Sequence, residues 1–220
     1  MKKYYMHTSK YSNQEIGSIR EQYDVVSYLL SVMELMIVEP FNKIDSKDAD
    51  LVIVVDKMSR LFLGKGDKIH SIQYPFLLKE KEGFLISLFQ ERVIDSQTIA
   101  ILSTIIRNKE NILTSIENML DSFMDTMNEF EILDNNYAQF CWKLLLYLLS
   151  FETGYLRYDH DEDKKRVNRD LHPVDHIDFF YSSNSTFKVG LLDRIDVDDL
   201  KSILNINEKC YSLNYNRAKN

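Results

Sequence analysis

The sequence is short of the residues that interrupt regular structure: it has six glycines and three prolines among 220 residues. Long irregular stretches are therefore not expected. Cysteine is scarce too. Cys141 and Cys210 are too few for a disulfide framework, and a reducing cytoplasm is the expected setting. Cys141 lies in an apolar run and is expected to pack as a small hydrophobe. Long apolar runs are missing. The best, Leu144 to Leu149, falls far short of the roughly 18 residues that a membrane-spanning helix needs. The opening Met-Lys-Lys-Tyr-Tyr-Met-His has no apolar signal-peptide core, so neither export nor membrane insertion is expected. Positive charge is also in deficit. A net charge of −7 argues against broad contact with nucleic-acid backbones, which select clustered Lys and Arg.

Hydrophobic residues make up 45% and charged residues 28%, the balance of a globular chain long enough to bury a core without staples. Residues 1 to 14 show no period and read as a loose arm. From Ile16 to Val38 the apolar positions fall at helical spacing, and Glu39-Pro40 ends that helix. Leu51 to Val55 fits a buried strand or the start of a helix running to Leu63. Gly64-Lys65-Gly66-Asp67 is a turn; a phosphate loop would need Walker spacing and a following Ser or Thr. Pro75 suits the first turn of a helix through Phe89. Asp95-Ser96 caps a further helical stretch.

Ile112, Ile116, Met119, Phe123, Met127 and Phe130 recur every three or four residues, with Leu113, Leu120 and Met124 widening the stripe. Such a stripe suits a core helix. Its Met and Phe content also suits adaptable contact with another protein, which makes Ile112, Ile116, Met119, Phe123 and Met127 the candidate partner-binding residues. Tyr137 to Phe151 is apolar almost all round and reads as a central helix. Tyr155 to Asp159, His176 to Ser182 and Phe187 to Leu191 alternate as strands do; with turn chemistry at Ser182 to Ser185, the last two read as a hairpin beside the first, and Val197 to Tyr211 reads as a closing helix.

Residues 154 to 178 hold three of the five histidines, seven acids and five bases. On a strand Arg157 and Asp159 share a face, and His176 and Asp178 share a face of the next. If the two strands pair, the four converge, with His172 reaching in from the loop before Pro173. An Arg beside one or two His residues can bind phosphate and move protons near neutral pH, as metal-independent RNA cleavage requires. His172-x-x-x-His176 also has a zinc-like spacing, with Asp159, His160 or Asp178 as a third ligand, although Pro173 and the strand pattern weaken it. The plain alternative is a salt-bridge network that braces a small sheet, with Asp161 to Arg169 as a solvated loop.

Arg157-Tyr158-Asp159 followed by His172-Pro173, His176 and Asp178 resembles two bacterial groups. One comprises domains of unknown function encoded near phage-defence genes; the other is the TumE-like toxin family. The resemblance covers about 25 residues, and the Asp-Gly-Ser strand of both groups is absent. It implies a toxin-type nuclease using Arg157, Asp159, His172 and His176. The overall layout, with its helical front half and acidic balance, resembles instead the small accessory subunits of defence systems built on SMC-like ATPases. That likeness implies a non-catalytic chain that bridges or regulates an ATPase or nuclease partner and meets nucleic acid only through it. No cofactor or metal is expected. The fold expected is α+β: a helical body over 1–152 and a small antiparallel sheet with a closing helix over 153–220, possible also as one integrated domain.

Overall fold

A computed structural model describes residues 2–8, 19–41, 49–108, 115–168, 170–182 and 185–210. Its largest feature is a seven-stranded antiparallel sheet. The sheet begins with β1 (Lys2–Met6), β2 (Leu51–Val55), β3 (Ser59–Lys65) and β4 (Lys68–Gln73). The chain then leaves it and returns as β8 (Leu156–His160), which pairs with β4, followed by β9 (Asp175–Ser182) and β10 (Ser185–Gly190). The strand order is β1-β2-β3-β4-β8-β9-β10. A second sheet of three strands, β5 (Leu77–Lys81), β6 (Phe84–Phe89) and β7 (Arg92–Val93), fills part of the excursion. The helices are α1 (Gln22–Val38), α2 (Ser96–Arg107), α3 (Ile116–Glu129), α4 (Asn135–Ser150) and α5 (Val197–Leu204).

The expected helical body with a small C-terminal sheet is therefore overturned. The principal sheet is large and takes strands from both sides of residue 152. Residues 2–6, read as a loose arm, form an edge strand paired with β2. Leu51–Val55 is a strand, and no helix runs on to Leu63. The helix expected after Pro75 is instead the β5–β6 hairpin, whose register closes on Lys81 and Phe84. The two residues between them, Glu82 and Gly83, both have positive φ, 53° and 87°. That geometry belongs to the type I′ turn that matches strand twist, and Gly83 adopts it at no steric cost. Helix propensity in Leu-Leu-Lys-Glu-Lys yields to this pairing.

Alternation along β1 to β4 divides the core. Tyr4, Met6, Ile53, Leu61, Leu63 and Ile72 face one way and join the cluster built on α1, α2 and α4. Val52, Val54, Phe62 and Ile69 face the other way and meet Leu156, Tyr158, Ile177 and Leu200 of α5. α1 is buried on most sides because it packs against α2, α4 and β6. It stops at Glu39, which is extended (φ −112°, ψ 129°), the conformation that the following Pro40 imposes. Asp95 caps α2 by accepting a hydrogen bond from the Thr98 backbone N–H, as its sequence position predicts. The closing helix is shorter than expected and ends at Leu204; Tyr211 lies outside the described residues.

Candidate functional site

The face of the sheet that Ile72 shares with the α1, α2 and α4 core changes chemistry across β4, β8, β9 and β10. Register sets His70, Arg157, Asp178 and Lys188 in one row across the four strands. Lys68, Asp159, His176 and Gly190 form the next row. The four side chains expected to converge, Arg157, Asp159, His176 and Asp178, do lie on one face. His70 and Lys188 complete the group. The sequence reading missed His70 because it expected no strand after the Gly64–Asp67 turn. Lys188 went unnamed, although the expected hairpin of His176–Ser182 with Phe187–Leu191 is present as β9 and β10 and sets Lys188 directly beside Asp178.

Arg157 bridges both acids: one terminal nitrogen donates to Asp159 Oδ2 at 2.6 Å and to Asp178 Oδ2 at 2.8 Å. Lys188 Nζ donates to the other Asp178 oxygen at 2.5 Å and to His176 Nε2 at 3.1 Å. His176 Nδ1 lies 2.8 Å from the Pro173 carbonyl. A carbonyl only accepts, so Nδ1 carries the proton and Nε2 accepts from the lysine. His176 is thus a neutral imidazole with both nitrogens engaged, and its solvent exposure is 0%. Burial, with the neighbouring Lys188 charge, holds its pKa below the ordinary histidine value, although the Pro173 bond and both acids pull the other way. Burial also works to lower the Arg157 pKa, but the Asp159 hydrogen bond and the two carboxylates outweigh it. The guanidinium is held above its ordinary value and stays charged. His70 hydrogen-bonds Tyr155 Oη at 3.0 Å, and burial, aided by the Arg157 charge, pushes its pKa down to about 4.

The two carboxylates therefore face Arg157 and Lys188, and both imidazoles are neutral. The cluster balances internally. Among the described residues its unsatisfied buried atoms are Arg157 Nε and Asp159 Oδ1. Phe180 covers the guanidinium, with Arg157 Cζ 6.0 Å from its ring centre.

His172 does not join the network. Its ring packs on that of His176 with centroids 4.5 Å apart, while its Nε2 contacts Asp161 Oδ2 at 3.2 Å. His160 points to the opposite face of the sheet. There it shares Asp175 Oδ1 with the Tyr158 hydroxyl, at 2.8 Å and 2.5 Å. The proposed zinc spacing is thus not a ligand set. The geometry closest to one is Asp159, His176 and Asp178, whose ligand atoms lie within 4.8 Å of one another. The residues do not fit a metal ion, because the Lys188 ammonium already holds the cation position and Arg157 stands beside it. Phosphate fares no better. It would meet an arginine whose side chain is 14% exposed and which already faces two carboxylates that repel an anion.

The candidate partner-binding residues divide. Phe123 and Met127 are buried, Phe123 against Trp142 with ring centres 5.0 Å apart. Met119 is half-buried and packs on the same core. Phe123 and Met127 are thus turned into the core of this chain. Ile116 is 78% exposed, and Leu120 and Met124, read only as wideners of the stripe, are 45% and 50% exposed. Ile112 and Leu113 lie outside the described residues.

Comparison with known protein families, with curated proteins and with solved structures finds no match. Among the described residues no helix is long and apolar enough to cross a membrane.

Proposed function

We propose that this chain is a non-catalytic, partner-binding subunit of a larger bacterial assembly. The observation that carries this reading is the engagement of both His176 nitrogens and of the Arg157 guanidinium inside the Arg157–Asp159–His176–Asp178–Lys188 network, which leaves Arg157 Nε and Asp159 Oδ1 as its unpartnered buried atoms. A general acid or base needs a nitrogen or oxygen within reach of substrate. His176 has neither free nitrogen nor solvent contact, and Arg157 is already held by two acids. The network's role on this reading is to lock β8, β9 and β10 in register. The anti-phage setting enters through the resemblance of the Arg157-to-Asp178 motif alone. The likeness to SMC-associated accessory subunits depended on a helical front half, and that layout is not what the chain adopts.

The test is co-expression of the untagged chain with its neighbouring genes. A stoichiometric ATPase or nuclease partner is expected to co-purify. His176→Ala should lower stability by about 1–3 kcal/mol, since Lys188 and the Pro173 carbonyl lose a buried partner. Activity of the assembled complex should fall only as assembly falls. A His176→Ala complex that is stable and fully assembled yet inactive would overturn the reading and favour the nuclease that uses Arg157, His172 and His176.

A further inference from the structure

The face of α3 turned away from the core carries two parallel rows. Ile116, Leu120 and Met124 form an exposed apolar ridge at four-residue spacing. Directly beside it, also at four-residue spacing, stand Glu117, Asp121, Asp125 and Glu129, all exposed. Asp121, Asp125 and Glu129 turn into a groove of about 500 Å³ that Asn108 at the end of α2 closes on one side. The helix contains no Lys or Arg, and none of the four acids has an ion pair among the described residues.

Neither row helps the isolated chain. Like charges four residues apart repel across one helical turn, and each successive pair in the acidic row costs the helix about 0.2–0.5 kcal/mol. The ridge leaves apolar surface in water that burial would stabilise. Both costs are relieved together by a surface with the opposite pattern.

We infer that α3 is a docking surface for a basic amphipathic helix of a partner protein. The apolar stripe of that helix would seat on Ile116, Leu120 and Met124, and its Lys or Arg residues would align with the acidic row. Charge complementarity selects this occupant. A second copy of this chain would bring acidic row against acidic row, and the chain as a whole carries a net charge of −7. The ridge spans about 12 Å and the acidic row about 18 Å, so a partner helix of about four turns covers both. The inference rests on the partner-binding reading above and specifies where that partner binds.

The test uses the full chain and a fluorescent synthetic peptide of about 18 residues, with Leu on one helical face and Lys on its flanks. A counterpart with Glu in place of Lys is the control. The Leu/Lys peptide should bind, and the Leu/Glu peptide should not. Affinity should fall at least about tenfold in Leu120→Ser/Met124→Ser and in Asp121→Lys/Asp125→Lys, and should weaken as salt rises. The altered side chains are exposed, so melting temperatures should stay near that of the parent; the charge variant keeps the ridge intact should the serine variant misfold. Absence of Leu/Lys binding, or equal binding by the parent and both variants, overturns the inference. If the serine variant still captures the co-expressed partner fully, this surface is wrong while the subunit reading stands. If the peptide binds as expected but no partner co-purifies, the subunit reading fails instead.

Discussion

Lys188 is the residue on which the polar cluster turns. It supplies the second positive charge that two carboxylates require, and it fixes the His176 tautomer by occupying Nε2. Lys188→Met keeps most of the aliphatic stem and removes only the ammonium. Asp178 then keeps Arg157 as its single partner, and His176 Nε2 loses its donor. Because the Lys188 side chain is 34% exposed, solvent softens the loss, and about 1–2 kcal/mol of stability should go. A second effect follows from charge. Burial lowers the His176 pKa most, and the Lys188 charge adds to that, so removing the lysine should let the histidine take up a proton at higher pH. NMR titration of the His176 ring in parent and variant reads this shift. An unchanged midpoint would mean that Lys188 does not act on His176.

At the scale of elements, the register of β4, β8, β9 and β10 matters more than any single contact. The alternation of Arg157 with Asp159, and of His176 with Asp178, was legible because a strand's period of two is a local property. The hairpin of β9 with β10 beside β8 was legible as well, but the strand on the other side of β8 was not. β4 carries Lys-Ile-His-Ser-Ile-Gln, a short run without a strong pattern, and its place beside β8 is decided by a pairing across more than eighty residues. The β5–β6 hairpin was hidden by Leu, Lys and Glu, which favour helices in isolation, while Glu82-Gly83 was the turn signal that the composition masked. The stripe in α3 was legible as a stripe. Which flank of it the core would cover depends on where α2 and α4 sit, and no local pattern reports that. β10 offers a test of the register. A Cβ at Gly190 would lie 2.9 Å from the Pro173 ring, whose carbonyl holds His176. Gly190→Ala should therefore push Pro173 away and cost about 1–3 kcal/mol, with faster hydrogen exchange at residues 161–174. Exchange unchanged from the parent would show that the loop is held by something other than that contact.

For the whole molecule, the long return from β4 to β8 makes one sheet of the two ends of the chain, and the histidines buried in it tie its stability to pH. His70 is pushed to about 4 by burial, and His176 is lowered in the same direction. An unfolded chain protonates these rings near their ordinary value of about 6.5, well before the folded chain does. Their contribution is therefore complete above about pH 6.5 and is lost as pH falls toward 4. His160 works in the opposite sense. Its hydrogen bond to Asp175 raises its pKa, so its smaller contribution is present in acid and fades as pH rises. Asp175 titrates outside this window: despite its burial, bonds from Tyr158 and His160 hold it below the ordinary value, so it is protonated only in stronger acid. Between pH 7 and pH 5, His70 alone should cost the fold about 2 kcal/mol. Urea denaturation at the two pH values measures the loss directly. His70→Gln, which cannot take up a proton, should start less stable than the parent yet show a slope shallower by about that amount. If the parent and His70→Gln lose the same stability over this range, the buried row at β4 does not carry the pH dependence, and the neutral His70 described here is wrong.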